Sequence, residues 1–149
     1  MTYEVTLRAV EARPTAVVAA TTTWQEFAQL WGKLLGEVWD CLRASGIHSG
    51  CRNVMLYRDD VPNVEVGVEL TQTCALTGRV VASSLPAGLV AMTTHRGSYA
   101  GLGSAHKAVQ DWCIAHEQRP TGTRWEVYGP HREDPNDVWT EVYWLLAAT

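Results

Sequence analysis

Val17-Val18-Ala19-Ala20-Thr21-Thr22 and Leu89-Val90-Ala91-Met92-Thr93-Thr94 are two versions of one phrase. The offset that carries Val17 onto Leu89 also carries Phe27 onto Tyr99, Leu30 onto Leu102 and Cys41 onto Cys113. Leu56-Tyr57 answers Val127-Tyr128 at an offset one position shorter, and Val64-Glu65-Val66-Gly67 answers Thr140-Glu141-Val142-Tyr143 at one several positions longer. An insertion around residues 130–137 absorbs that drift. Each match is weak alone, but their common order predicts a duplication, with one repeat over about 3–72 and the other over about 79–147.

Each repeat reads strand, helix, strand, strand. In the first, the β-rich run Ala16–Ala20 leads to Thr22 or Thr23, either of which can cap a helix. Glu26, three residues beyond Thr23, completes a capping box. Trp24, Phe27, Trp31, Leu34, Leu35, Val38 and Leu42 recur at helical spacing until Ser45-Gly46. Strands over 53–58 and 64–70 follow, joined at the turn-rich Asp59-Asp60-Val61-Pro62-Asn63. In the second repeat, Pro86-Ala87-Gly88 introduces a strand over 89–95. Gly97-Ser98 precedes a helix over 99–117, and strands at 125–128 and 139–146 close the pattern. Extra strands over 4–10 and 79–84 pair at the sheet margins. The fold class is α+β: a duplicated βαββ repeat, an antiparallel-rich sheet, and two helices on one face.

The chain has 149 residues, 46% hydrophobic, enough for one well-cored domain. The net charge is −4 and no basic cluster is present, which argues against direct nucleic-acid binding. No run of apolar residues has membrane-spanning length and the N-terminus lacks a signal-peptide pattern, so a cytoplasmic location is expected, with no membrane partner. Cys41, Cys51, Cys74 and Cys113 form no C-x-x-C pair and read as free thiols, and no metal or other cofactor is expected. Seven tryptophans stand against one phenylalanine. Tryptophan suits a site that grips a ligand, although core packing accounts for several equally well.

Trp125-Glu126-Val127-Tyr128 sets one carboxylate among large side chains. Strand alternation sends Glu126 and Tyr128 to one face and Trp125 and Val127 to the other. Glu126 is then either solvated or an anchor inside a π-rich pocket. Trp39 and Trp112, which nearly correspond across the repeats, sit on the flanks of their helix stripes, where they wall a cleft or cover a sheet edge. His95 reads as a hydrogen-bonding partner of the following turn. His106 and His116 are ten residues apart on one helix and form no compact metal site. His48 and His131 fall in loops, and the Asp59-Asp60 and Glu133-Asp134 pairs read as solvated turn charges. No Ser-His-Asp arrangement or phosphate loop is present.

Leu85-Pro86-Ala87-Gly88, Thr94-His95-Arg96-Gly97-Ser98-Tyr99, Trp112, Trp125-Glu126-Val127-Tyr128 and Thr140-Glu141-Val142-Tyr143 form an ordered set. In this the sequence resembles the GyrI-like small-molecule-binding domains, which also serve as effector-binding domains of some AraC-type and MerR-type regulators. The resemblance covers nearly the whole chain. It departs at Ser98, where proline is commoner. It implies a ligand cleft between the repeats with Glu126 in it and Tyr128 on the same strand face. By internal symmetry Tyr57 and Tyr143 are expected as neighbours, with Met55 opposite Glu126. Trp39, Trp112 and Trp139 are further candidates for ligand contact, each also readable as core.

No helix-turn-helix accompanies these motifs, so a stand-alone ligand domain is expected, as monomer or as homodimer through edge strands near 79–84. Two functions fit. One is sequestration of aromatic, often cationic, small molecules or xenobiotics for cellular protection. The other, implied by the resemblance, is a hydrolase that opens the cyclopropane ring of DNA-alkylating natural products in an aromatic cage. Glu126 and Tyr128 would then be its catalytic residues.

Overall fold

The duplication is visible in the order of the strands. In the computed structural model, which describes residues 3–130, 134 and 137–148, the first repeat comprises β1 (Thr6–Val10), β2 (Arg13–Thr21), α1 (Trp24–Ala44), β3 (Asn53–Tyr57) and β4 (Asn63–Glu69). The second comprises β5 (Val81–Leu85), β6 (Gly88–Arg96), α2 (Leu102–Ala115), β7 (Pro120–Tyr128) and β8 (Trp139–Leu146). All eight strands form one sheet in the order β1-β6-β8-β7-β3-β4-β2-β5. Every pairing in it is antiparallel. Exchanging each strand with its counterpart in the other repeat turns this order into its own reverse, so a pseudo-twofold axis runs between β3 and β7. His131, Glu133 and most of the insertion expected around 130–137 lie outside the described residues.

The register at the axis gives the true spacing of the repeats. Met55 pairs with Glu126, flanked by Val54 with Val127 and Leu56 with Trp125, which is self-consistent only if Met55 and Glu126 are equivalent positions. The helices agree: at that same offset the fully buried Leu34, Val38 and Leu42 of α1 match Ala105, Val109 and Cys113 of α2. The leading strands align differently from the opening similarity. Ala16 packs beneath α1 and Ala91 beneath α2, whereas the opening similarity sets Ala16 against Gly88, three positions out of register. A run of Val, Ala and Thr matches itself at several offsets, and only the two-residue period of the sheet face decides among them.

Both helices cover one face. Met55 and Val142 flank Glu126 on its own side of the sheet, and they join the cores under α1 and α2 respectively. The opposite face buries Val54, Leu56, Trp125, Val127 and Tyr143 as a separate cluster. Each such side chain contributes roughly 1.5–3 kcal/mol on leaving water. Close backbone packing matters too: a Cβ on Gly67 would lie 1.9 Å from the Ala16 carbonyl oxygen of the neighbouring strand.

Local signals fix the boundaries. Thr23 caps α1, its Oγ1 accepting the Glu26 N–H at 3.1 Å, and Ser45 closes the helix before Gly46 at φ +90. Two boundaries differ from expectation. A 3-10 turn over Tyr99–Gly101, capped by Ser98, precedes α2. Strand β7 begins at Pro120, because a register shift between Pro120 and Arg124, with Gly122 at φ +101, carries the chain into the sheet early. The four cysteines are free.

Candidate functional site

Alternation along β3 and β7 sends Met55, Tyr57, Arg124, Glu126 and Tyr128 to the helix face, with Glu126 at the axis. The Glu126 residue is 4% exposed. Tyr57 donates to its Oε1 at 3.1 Å, and Tyr128 donates to the same oxygen. His106 Nε2 lies 2.6 Å from Oε2. The tautomer of His106 follows from its other neighbour. Trp144 Nε1 stands 3.0 Å from His106 Nδ1, and an indole N–H only donates. Nδ1 is therefore the acceptor, Nε2 carries the proton, and His106 donates to Glu126. Three donors thus offset the desolvation of one buried acid, an arrangement that suits the ionised carboxylate, which only accepts. Burial, with Glu126 beside them, raises the pKa of both Tyr57 and Tyr128 above the usual tyrosine value. Both hydroxyls stay protonated and remain donors.

Above Glu126 a cavity of about 440 Å³ opens between the helices and the sheet, within the range of small-molecule sites. Met55, Tyr57, Glu126 and Tyr128 form its floor, and Glu126 is its only charged lining residue among the described residues. Trp24, Ala28, Trp31 and Leu35 of α1 form one wall, on positions i, i+4, i+7 and i+11. Leu102 and Tyr99 face them from the start of the second helix. Trp24, Trp31 and Tyr99 are 45%, 42% and 50% exposed, so the mouth is rimmed with rings. Exposed rings gathered around one opening mark a contact surface, unlike rings scattered singly. Tyr99 meets Tyr128 edge-on at 5.7 Å, and Trp24 leans on Tyr57 at 5.4 Å. A larger depression, about 730 Å³, lies between Cys113 and Ala148; among the described residues it carries no aromatic ring and none of this hydrogen-bonded network.

The expected site residues divide. Glu126, Tyr128, Tyr57 and Met55 come together on the floor. Tyr143 does not: Val142 is the register partner of Glu126, while Tyr143 pairs with Trp125 and stacks on it at 5.4 Å across the other face. Burial, then Glu141, pushes the Tyr143 hydroxyl up to about 12. Trp112 is also away from the cavity, stacked on His116 at the end of α2 at 4.2 Å. Trp39 stands behind the wall, donating at 2.8 Å to Asn53 Oδ1, and Asn53 lines the cavity. Trp139 packs against Gly129, where a Cβ would meet its ring at 2.4 Å, so it backs the cavity without lining it. His95 serves the turn: Nε2 donates to the Ser98 carbonyl at 2.8 Å and Nδ1 accepts from Tyr3. Trp24, Trp31, Tyr99 and His106 were not anticipated in the site. The spacing of the two α1 tryptophans with Ala28 and Leu35 carried a signal for the first pair. Nothing in the linear sequence joins His106 to Glu126. Among the described residues no group of three or more His, Cys, Asp and Glu could hold a metal ion, and no helix is long and apolar enough to cross a membrane.

The model of the GyrI-like small molecule binding domain matches residues 3–147. The chain belongs to that family. The GyrI-like domain superposes on the crystal structure of the EcmrR C-terminal domain with a TM-score of 0.78 at 16% identity, covering 100% of both chains. It also superposes on EcmrR in a DNA complex, with a TM-score of 0.75 at 17% identity, covering 99% of this chain and 58% of that one. SAV2435 bound to tetraphenylphosphonium gives 0.65 at 12% identity, covering 99% and 95%. A hydrolase from Listeria innocua gives 0.61 at 10% identity, covering 97% and 92%. At these identities the likeness concerns the fold. A search of curated protein sequences returns no match.

Proposed function

We propose that this GyrI-like domain binds flat, aromatic, cationic compounds in the cavity above Glu126 and protects the cell by sequestering them. The observation that carries this reading is a buried carboxylate that is the only charge lining a ring-rich cavity among the described residues. A delocalised cation on the floor meets both an acid and π faces. Each cation–π contact contributes roughly 0.5–2 kcal/mol, and loss of the charge partner costs roughly 2–5 kcal/mol. Rings of Trp24, Trp31 and Tyr99 at the mouth would cover the ligand's outer face. The tetraphenylphosphonium seen on SAV2435 has the chemistry this cavity favours, a large apolar cation.

The His106–Glu126 pair favours a second reading, ring-opening hydrolysis. Because Trp144 fixes the tautomer, His106 holds the carboxylate by Oε2, while Oε1 accepts from Tyr57 and Tyr128, both of which line the cavity. Glu126 would take a proton from water as that water attacks a strained cyclopropane carbon; the ring C–C bond would break, its electron pair would pass into the conjugated carbonyl as an enolate held by a tyrosine O–H, and the proton taken from water would return to that enolate. One experiment separates the readings: catalytic protein is incubated with a cyclopropane-bearing alkylator and products are followed by mass. Sequestration predicts protection that saturates at one equivalent with unchanged compound. Multiple turnovers to a water adduct establish the hydrolase instead.

A further inference from the structure

Part of the cavity has a symmetry mate. The pseudo-twofold makes Met55 and Glu126 equivalent. Applied to four of the eight first-repeat lining residues, Trp31, Leu35, Asn53 and Met55, the same offset yields Leu102, His106, Arg124 and Glu126. Those four line a second chamber of about 310 Å³, which shares Trp24, Tyr57, Leu102 and Glu126 with the first. Duplication produced two half-sites, and their chemistry has diverged. Where the first has Leu35, Asn53 and Met55, the second has an imidazole, a guanidinium and a carboxylate.

Arg124 dominates the second chamber. Its side chain is only 10% accessible. Its guanidinium carbon lies 5.2 Å from the Trp144 ring, 5.4 Å from Trp24 and 5.8 Å from Tyr57. Nη1 donates to the Gly122 carbonyl at 2.9 Å and Nη2 pairs with Asp60 Oδ1 at 2.8 Å. Asp60 is 85% accessible, so it exchanges for another anion at little cost, because it regains its hydration on release. Gln110, whose amide has no hydrogen-bond partner among the described residues, lines the same space.

We propose that this chamber is a subsite for an anionic group on the ligand, which displaces Asp60 from Arg124. Arg124 and Glu126 are two residues apart on one strand face, about 7 Å. Together they read a compound that carries a delocalised cation and, at that distance, a carboxylate. A lone cation gains only the first chamber, since Arg124 repels it from the second. The domain then prefers zwitterionic aromatic compounds to simple cations. The proposal rests on the binding reading above and specifies its ligand class.

Tetramethylrhodamine and its methyl ester test it, since they share one xanthylium cation and differ in a free or esterified carboxylate. Affinities are measured by fluorescence anisotropy for the full chain and for Arg124→Gln, Asp60→Asn, Gly103→Leu and Glu126→Gln. The free acid is expected to bind about tenfold or more tighter than the ester, the scale of a hydrogen bond between charged groups. Arg124→Gln should erase that preference and Asp60→Asn should enlarge it. A Cβ at Gly103 meets nothing within 4 Å, so Gly103→Leu projects into the chamber; it should bring the free acid down to the ester's affinity and leave the ester unchanged. Should Arg124→Gln fail to fold, the exposed Asp60 and the helical Gly103 carry the test. Equal affinities in the unmodified chain, or a preference indifferent to both Asp60→Asn and Gly103→Leu, overturn the subsite. Ester binding that ignores Glu126→Gln overturns the binding reading itself, a separate outcome.

Discussion

Replacing Glu126 by glutamine changes charge with almost no change in volume, which makes it the most informative single substitution. Two costs can be separated. The first is toward a ligand. At the effective dielectric of about 20 that suits protein sites, a cation seated on the floor about 5 Å from the carboxylate gains roughly 3 kcal/mol. That predicts a loss of about a hundredfold in affinity for the methyl ester of tetramethylrhodamine. Its dihydro form has the same skeleton without the charge and should lose less than about threefold. The second cost is toward the fold. The glutamine oxygen can still accept from Tyr57 and Tyr128, but its NH2 group then faces His106 Nε2–H. Two donors meet, and Trp144 opposes a change of tautomer. The mismatch should cost about 1–3 kcal/mol of stability, or roughly 2–12 °C in Tm for a chain of this size. Isothermal titration with both compounds, beside thermal unfolding, reads the two costs independently. An equal loss for cation and neutral form refutes the electrostatic anchor. Unchanged Tm refutes the fixed tautomer.

Further expectations follow from the geometry. Trp24→Phe and Trp31→Phe should reduce ligand-dependent quenching of tryptophan fluorescence, and Trp112→Phe should leave it intact; the reverse pattern would move the site away from α1. Gly67→Ala forces a Cβ against the Ala16 carbonyl, and overpacking of this kind costs roughly 1–3 kcal/mol or more, so denaturant unfolding should show a lower midpoint. Tyr57, Tyr128 and Tyr143 all have raised pKa values in the fold. Unfolded tyrosines release protons above about pH 10, so folding holds protons that the unfolded chain loses. Stability is therefore complete below about pH 10 and falls above it, by up to about 1.4 kcal/mol per pH unit for each tyrosine kept neutral. Phenolate absorbance from all five tyrosines before circular dichroism is lost would contradict this.

Much of the architecture was legible because it depends on short-range signals. Alternation placed Glu126 and Tyr128 on one face, and symmetry set Met55 opposite Glu126, as the register has it. Thr23 and Glu26 marked the start of α1. Tyr143 failed for a reason of parity: a one-residue displacement against Glu126 sends a side chain through the sheet, and the drift between repeats hid it. The tryptophans misled in another way. Trp24 and Trp31 share helical spacing with the buried Phe27 and Leu34, and a wheel alone cannot say where the core stripe ends and a cavity wall begins. His106 was illegible, since its role depends on Trp144 and Glu126 reaching it from two other elements.

The most direct measurement of the central claim is a crystal structure of the domain with the rhodamine methyl ester bound. The xanthylium is expected between the α1 tryptophans and Tyr128, its charged edge over Glu126. Dye seated instead in the depression between Cys113 and Ala148, with the floor around Glu126 vacant, would contradict it.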